Sequence, residues 1–190
     1  MPRDNPSHIL RALDLRLMHP VELTLIGKAA IWLGYDSPPE DYGSTLDVDA
    51  VVPAAASAAL DQDLAFWAAL SQANEDLHQH DLYLTHIFED RQIFLRPGWA
   101  ALRVPILRPP LTHITLFRPA TLDLILTKMM RGADATHMAE IQWMIDQDQI
   151  TRADMLECLG AARLPNDSNE WPQLFAAARA AVLEMRYGGE

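Results

Sequence analysis

The sequence predicts an α/β (α+β) protein, a small β-sheet carrying helices and then a C-terminal helical region. Three observations predict it. The β-type runs "VELTLI" (21–26), "TLDVDAVVP" (45–53), "DLYLTHIF", "RQIFL", "ALRVPIL" and "THITLF" all lie at or before Phe117. Beyond Phe117 the apolar residues recur with helical spacing and the strand signal stops. The chain has 190 residues, 49% hydrophobic and 22% charged, which suits one globular domain or a domain with a helical extension. The expected division is an α/β core over residues 1–118 and a helical region over 119–190 packed on it.

Taken in order, Ile9, Leu10, Leu13 and Leu17 share one helical face, and Ser7 reads as the N-cap of that helix. "VELTLI" is a strand that ends at Gly27, and "KAAIWLGY" is a short helix starting straight after it. "TLDVDAVVP" is a second strand stopped by Pro53. The Ala- and Leu-rich stretch from Ala55 to His80 reads as one helix or two. "DLYLTHIF" and "RQIFL" read as a hairpin turning at Glu89 and Asp90. "ALRVPIL" and "THITLF" supply one or two further strands. About four helices follow, the first with Pro119 at N1 and a later one opened by a capping box of Thr151 and Asp154. "PNDSN" reads as the late linker.

The formal net charge is -11 and the pI about 4.9, so nucleic acid is repelled on average and any contact with it needs a local basic patch. Cys158 is the sole cysteine, which excludes an intramolecular disulfide and suits a reducing compartment. "MPRDNPSHIL" has no apolar stretch of the secretory kind, and no apolar run is long enough to cross a bilayer. The expected location is the cytoplasm, away from the membrane.

One feature of the second strand needs a chemical reason. Residues i and i+2 of a strand project to the same face, about 6–7 Å apart. Asp47 and Asp49 therefore project together, while Leu46, Val48 and Ala50 point the other way, into the core. Two such carboxylates repel each other unless a cation or a shared proton intervenes. Mg²⁺ prefers carboxylate oxygens and brings substrate phosphates with it. "DQD" at 61–63 and at 146–148 has the same spacing with a polar middle residue in helical or loop surroundings, and both read as solvated faces. Around Asp47 and Asp49 the context differs: the strand alternates, and a strand–Gly27–helix unit precedes it, whose helix N-terminus offers N–H groups to a phosphate.

This order of strand, glycine, short helix, loop and Thr45-Leu46-Asp47-Val48-Asp49 resembles the minimal nucleotidyltransferases of the DNA polymerase beta superfamily. More narrowly it resembles the AbiEii-type toxins of type IV toxin–antitoxin systems and their relatives. "DLILTKMMRGADATHMAEI" is similar to the lysine-bearing helix of those families, giving Lys128, Arg131, Asp134 and Glu140, with His137 at the acidic position after the arginine. The resemblance spans roughly residues 20 to 145 and implies a small mixed sheet. It implies transfer of a nucleoside monophosphate from an NTP to an RNA or protein acceptor, with a cognate antitoxin as a further partner. It implies Asp47 and Asp49 as catalytic ligands of Mg²⁺, Lys128 as catalytic, and Gly27, Lys28 and Arg131 as nucleotide-binding. Where those families commonly have Gly-Gly or Gly-Ser this chain has Gly27-Lys28; the lysine either contacts a phosphate or blocks close approach. The third carboxylate of the superfamily falls on a later strand, where Glu89 and Asp90 are the candidates and also fit plain turn residues. The alternative is a binding or scaffold protein with the same fold and no catalysis.

Other residues carry weaker signals. Lys128 also fits a solvated position on an amphipathic helix. His78 and His80 read as solvated residues at a helix end, and His86 as a core or cleft residue. Cys158 reads as a small buried apolar residue, and the five tryptophans as core. Arg91, Arg96, Arg103, Arg108 and Arg118 either form an acceptor-binding strip or flank strand ends, the second reading fitting better.

Overall fold

Alternation of apolar and polar residues before Phe117 produces five strands, and the helical periods around and after them produce eight α-helices among the described residues. The computed structural model describes residues 4–188. The chain divides into two compact units: residues up to Glu89 with Arg103–Arg118, and Asp90–Leu102 with the chain from Pro119 onward.

The first unit holds the sheet. Helix α1 (Asn5–Asp14) precedes β1 (Val21–Ile26), and α2 (Gly27–Gly34) follows β1 without a loop. Next come β2 (Asp47–Val52), α3 (Ala54–Asp61), α4 (Leu64–Leu77), β3 (Tyr83–Glu89), β4 (Val104–Ile106) and β5 (Ile114–Arg118). The strand order is β3-β2-β1-β5-β4. β1 runs antiparallel to β2 and parallel to β5, β2 runs parallel to β3, and β4 antiparallel to β5. The sheet is therefore mixed, as expected. The parallel β2/β3 pair needs a crossover, which α3 and α4 supply. Ile9, Leu10 and Leu13 of α1, Leu23 and Leu25 of β1, Val48 and Val51 of β2 and Phe66 of α4 are completely buried.

Polar groups fix the ends of these elements. Asp4, not Ser7, caps α1: its carboxylate accepts from the Ser7 N–H, because Pro6 is suited to the first helical turn and the helix starts at Asn5. Asp14, at the other end of α1, accepts from the backbone N–H groups of Thr112, His113 and Ile114 and so sets the entry to β5. The C-terminal carbonyls of α2 would otherwise be orphaned. Arg108 donates to the carbonyls of Trp32, Leu33 and Tyr35, and Arg118 Nε to that of Gly34. A Cβ at Gly34 would stand 2.5 Å from Arg118 Cδ, so only glycine admits this buried arginine against the helix. At the β3 edge, the Asn74 side chain donates to the Leu84 carbonyl and accepts from the Leu84 N–H, taking the place of a neighbouring strand. At the other edge, β4 is three residues long and contains Pro105.

The second unit is built from α5 (Thr121–Met129), α6 (Ala135–Asp148), α7 (Arg152–Ala161) and α8 (Trp171–Leu183). Its core contains Leu124, Ile125, Met129, Ile141, Met144, Met155, Cys158 and Val182, each at 0% exposure. The Thr151–Asp154 capping box is present at the start of α7. Pro119 is not at N1; it precedes Ala120, the N-cap, and α5 begins at Thr121.

No hairpin forms at Glu89 and Asp90. The chain enters a 3-10 turn at Asp90–Gln92, where the Asp90 carboxylate accepts from the Trp99 indole N–H. Ile93, Phe94 and Leu95 are buried in the second unit, and Leu95 makes an isolated bridge to Arg163 instead of pairing with β3. The apolar run is thus a core segment that carries too few backbone partners to be a strand. Of the five tryptophans only Trp99 is fully buried; Trp32, Trp67, Trp143 and Trp171 are half-buried. Trp32, Trp67 and Trp171 each place an indole N–H on an acceptor, on Asp4, the Leu60 carbonyl and Asp167.

Candidate functional site

The register of β1 against β2 creates the site. Ile26, the last residue of β1, is the cross-strand partner of Asp49, so the chain turns into α2 beside that carboxylate. The turn is made by Gly27 at φ +71°, a left-handed conformation that L side chains rarely adopt. A Cβ placed on Gly27 would lie 3.9 Å from Asp49 Oδ2. The first turn of α2 has no side-chain cap, and a helix start is where backbone N–H groups point toward an acceptor.

Along β2, Asp47 is exposed, Val48 buried, Asp49 partly buried and Ala50 buried. This alternation gives the two aspartates one face and the apolar residues the other. Leu46 departs from the expected pattern: it precedes the strand and is 53% exposed. Asp47 Oδ1 accepts from Thr45 Oγ1 at 2.9 Å. Asp49 Oδ1 accepts from Thr85 Oγ1 at 2.8 Å and stands 3.4 Å from His86 Nδ1.

Two consecutive residues of β3 reach Asp49 because the strand bulges. Val48 pairs with Leu84 and Asp49 with His86, so Thr85 is the extra residue. Strict alternation from buried Leu84 would have turned His86 toward the core. The bulge shifts the parity, and the His86 side chain is 66% exposed, stacked on Phe88 with an interplanar angle of 17°. The β3 residues level with Asp49 are therefore Thr85 and His86. Glu89 lies further along, opposite Val52, and Asp90 belongs to the second unit. Sequence reasoning missed the role of Thr85, for which no local signal exists.

Lys28 holds its ammonium 5.5 Å from the centroid of the Tyr42 ring. Lys128 and Arg131 belong to the helical unit. Lys128 is not a solvated residue of an amphipathic helix: it is 6% exposed and ion-paired with Glu140 at 2.5 Å, linking α5 to α6. Arg131 is exposed in the turn after α5. Asp134 caps α6 and contacts His137 Nδ1 at 2.7 Å; that hydrogen bond first, and the His137 N–H second, hold its carboxyl below the usual range. His78, exposed at the end of α4, contacts the Tyr83 hydroxyl at 2.8 Å, where an open cleft of about 400 Å³ is lined by Ser71, Asn74, Glu75, His78 and Tyr83.

Arg96, Arg103, Arg108 and Arg118 are engaged structurally. Arg96 pairs with buried Asp123, Arg103 reaches Glu22 and lies over Phe117, and Arg108 and Arg118 close α2. Cys158 is buried, and that burial pushes its thiol up to about 12. No three His, Cys, Asp or Glu side chains among the described residues converge as a ready-made metal centre. Two carboxylates on one strand face still fit a cation that keeps most of its ligands from water and phosphate. No helix among the described residues is long and apolar enough to cross a membrane. Compared with family models, with curated proteins and with solved structures, the chain matches none.

Proposed function

We propose that this chain is a cytoplasmic, Mg²⁺-dependent nucleotidyltransferase that moves a nucleoside monophosphate from an NTP to an RNA or protein acceptor. A cognate antitoxin is the partner that the resemblance to toxins brings with it. The observation that carries the reading is the meeting of Gly27, the uncapped start of α2 and Asp49 at the end of β1. The N–H groups of α2 bind phosphate oxygens, and Gly27 lets them approach without a side chain in the way. Asp47 and Asp49 are the cation ligands, with Thr85 orienting the Asp49 carboxylate. When bound, Mg²⁺ offsets the charge on the triphosphate and aligns it for in-line displacement. The acceptor oxygen bonds to the α-phosphorus, the bond to the bridging oxygen breaks, and pyrophosphate leaves. Lys28 is assigned to the negative charge on that leaving group, whereas Lys128, buried in its pair with Glu140, and Arg131 belong to the helical unit.

A specific observation favours a second reading, nucleotide binding without transfer. Glu89, the candidate third carboxylate that lies in β3, stands opposite Val52, while the β3 positions level with Asp49 hold Thr85 and His86. Calorimetric titration of NTP with and without Mg²⁺ tests the site, with Asp47→Asn/Asp49→Asn as control. Binding that needs the metal and vanishes in the double variant supports it, and equal binding by the variant places the nucleotide elsewhere. Label passing from α-³²P-NTP to RNA or protein separates transfer from binding alone.

A further inference from the structure

We propose that the open cleft between α4 and the start of β3 is a recognition site for an arginine side chain presented by a partner polypeptide. The cleft holds about 400 Å³, and neither Asp47 nor Asp49 lines it. Ser71, Asn74, Glu75 and His78 recur at helical spacing and share one face of α4, while Phe66, Leu70, Ala73 and Leu77 bury the face turned to the core. The Asn74 amide is tied through both its nitrogen and its oxygen to the main chain of Leu84. The Tyr83 hydroxyl lies 2.8 Å from His78 Nδ1. These contacts fix the floor and one wall, so the cleft is formed before any ligand arrives and little ordering is left to offset on binding.

The lining sets the charge and shape of the occupant. Glu75 is exposed, and its carboxylate has no hydrogen-bond or ion-pair partner among the described residues. The chain supplies no cation nearby in sequence: from Ala29 to Asp90 there are twelve Asp and Glu and no Lys or Arg. Arg16 of α1, which reaches the end of α4, is taken by Asp76. A cationic ligand therefore complements the cleft. The Tyr83 ring adds an aromatic face, which attracts a cation and suits the planar guanidinium better than an ammonium. Glu75 accepts from the guanidinium fork, and the Ser71 hydroxyl is a further acceptor. The volume is that of a ligand site, yet the mouth is open, which fits a side chain offered by a larger partner rather than a small molecule enclosed on all sides. Two copies of a chain with net charge -11 repel each other, so the partner is a basic segment of a different protein.

The test uses the full chain, uniformly labelled with ¹⁵N, and two blocked tripeptides that differ only in carrying one arginine or one lysine. Amide shifts are followed by NMR at constant ionic strength. The arginine peptide is expected to give saturable shifts at Ser71, Glu75, His78 and Tyr83, with the lysine peptide about threefold weaker. Glu75→Gln weakens the arginine peptide about fivefold. Asp61→Asn, which removes an equal exposed charge outside the cleft, changes it by less than about twofold. Tyr83→Leu abolishes the preference for arginine over lysine. Circular dichroism verifies that the three variants fold. Absent shifts or shifts that never saturate overturn the proposal, and so do equal losses in Glu75→Gln and Asp61→Asn, which mark a diffuse field. Equal binding of the two peptides by wild type, or a preference kept in Tyr83→Leu, overturns the assignment to arginine.

Discussion

Replacing Arg96 by alanine should unfold much of the margin on which the helical unit stands. The Asp123 carboxylate has 0% exposure and depends on Arg96 three times: on its backbone N–H at 3.1 Å, on Nε at 3.0 Å and on Nη2 at 2.7 Å. Arg96→Ala removes both side-chain donors and leaves a charge with one main-chain partner where water does not reach. Removing one member of a buried pair costs about 3–5 kcal/mol, against about 0–1 kcal/mol for an exposed pair. Total stabilities of about 5–15 kcal/mol make that loss decisive. For a chain of this size it lowers the melting temperature by about 6–20 °C. Urea and thermal unfolding followed by tryptophan fluorescence give the number, since Trp99, Trp143 and Trp171 all lie in this unit. Arg96→Met/Asp123→Leu should recover most of it, because an apolar pair leaves no uncompensated charge. A loss below about 1 kcal/mol for Arg96→Ala would refute the reasoning.

Gly27→Ala should cost about 1–2 kcal/mol through its positive φ alone, since the added methyl meets Asp49 at ordinary contact distance; chemical denaturation measures it. Asn74→Ala strips both polar groups of Leu84 of their partners and should cost about 1–3 kcal/mol, read by denaturation and by faster amide exchange at Leu84. His19 has its pKa raised, first by the Pro20 carbonyl and then by Asp63, while Asp63 is lowered, first by the Phe66 N–H. The His19 contribution is therefore full below its ordinary 6.5 and fades as pH rises through the raised value. The Asp63 contribution is present above its ordinary 3.8 and fades as pH falls through the lowered one. NMR titration of the His19 ring in wild type and Asp63→Asn should show the raised pKa fall in the variant. Cys158, with its thiol pushed up to about 12 by burial, should resist Ellman's reagent at pH 8 until urea unfolds the chain.

The elements whose logic is local were legible in the sequence. "VELTLI" ends at Gly27 because the backbone there needs a positive φ, and β1 spans Val21–Ile26 as read. The Thr151–Asp154 box is a three-residue pattern and is present as read. Where competing partners decide, the reading failed. "RQIFL" has a strand's composition, but the Asp90 turn and burial against helices take it out of the sheet. Proline at 6 outweighs serine at 7 in setting the start of α1. In the site, the spacing of Asp47 and Asp49 follows from the period of a strand, whereas the parity shift at Thr85 depends on pairing with β2 and leaves no trace in β3 itself. The arginines were ambiguous for a similar reason, since the carbonyls and carboxylates they serve lie far away in the chain, as with Arg108 and Trp32.

The two borders of the sheet limit how another polypeptide can join this one. Docking by strand addition requires a row of vacant main-chain donors and acceptors along an accessible border. On one border Asn74 occupies the middle of that row and the irregular spacing at Thr85 breaks its rhythm. On the other, three residues interrupted by Pro105 offer too short a template, with one donor missing. Any polypeptide that docks here is thereby steered to side-chain recognition on loops and helix faces. Its specificity then resides in residue identity at those surfaces, where single substitutions in either partner can change the pairing without disturbing the sheet.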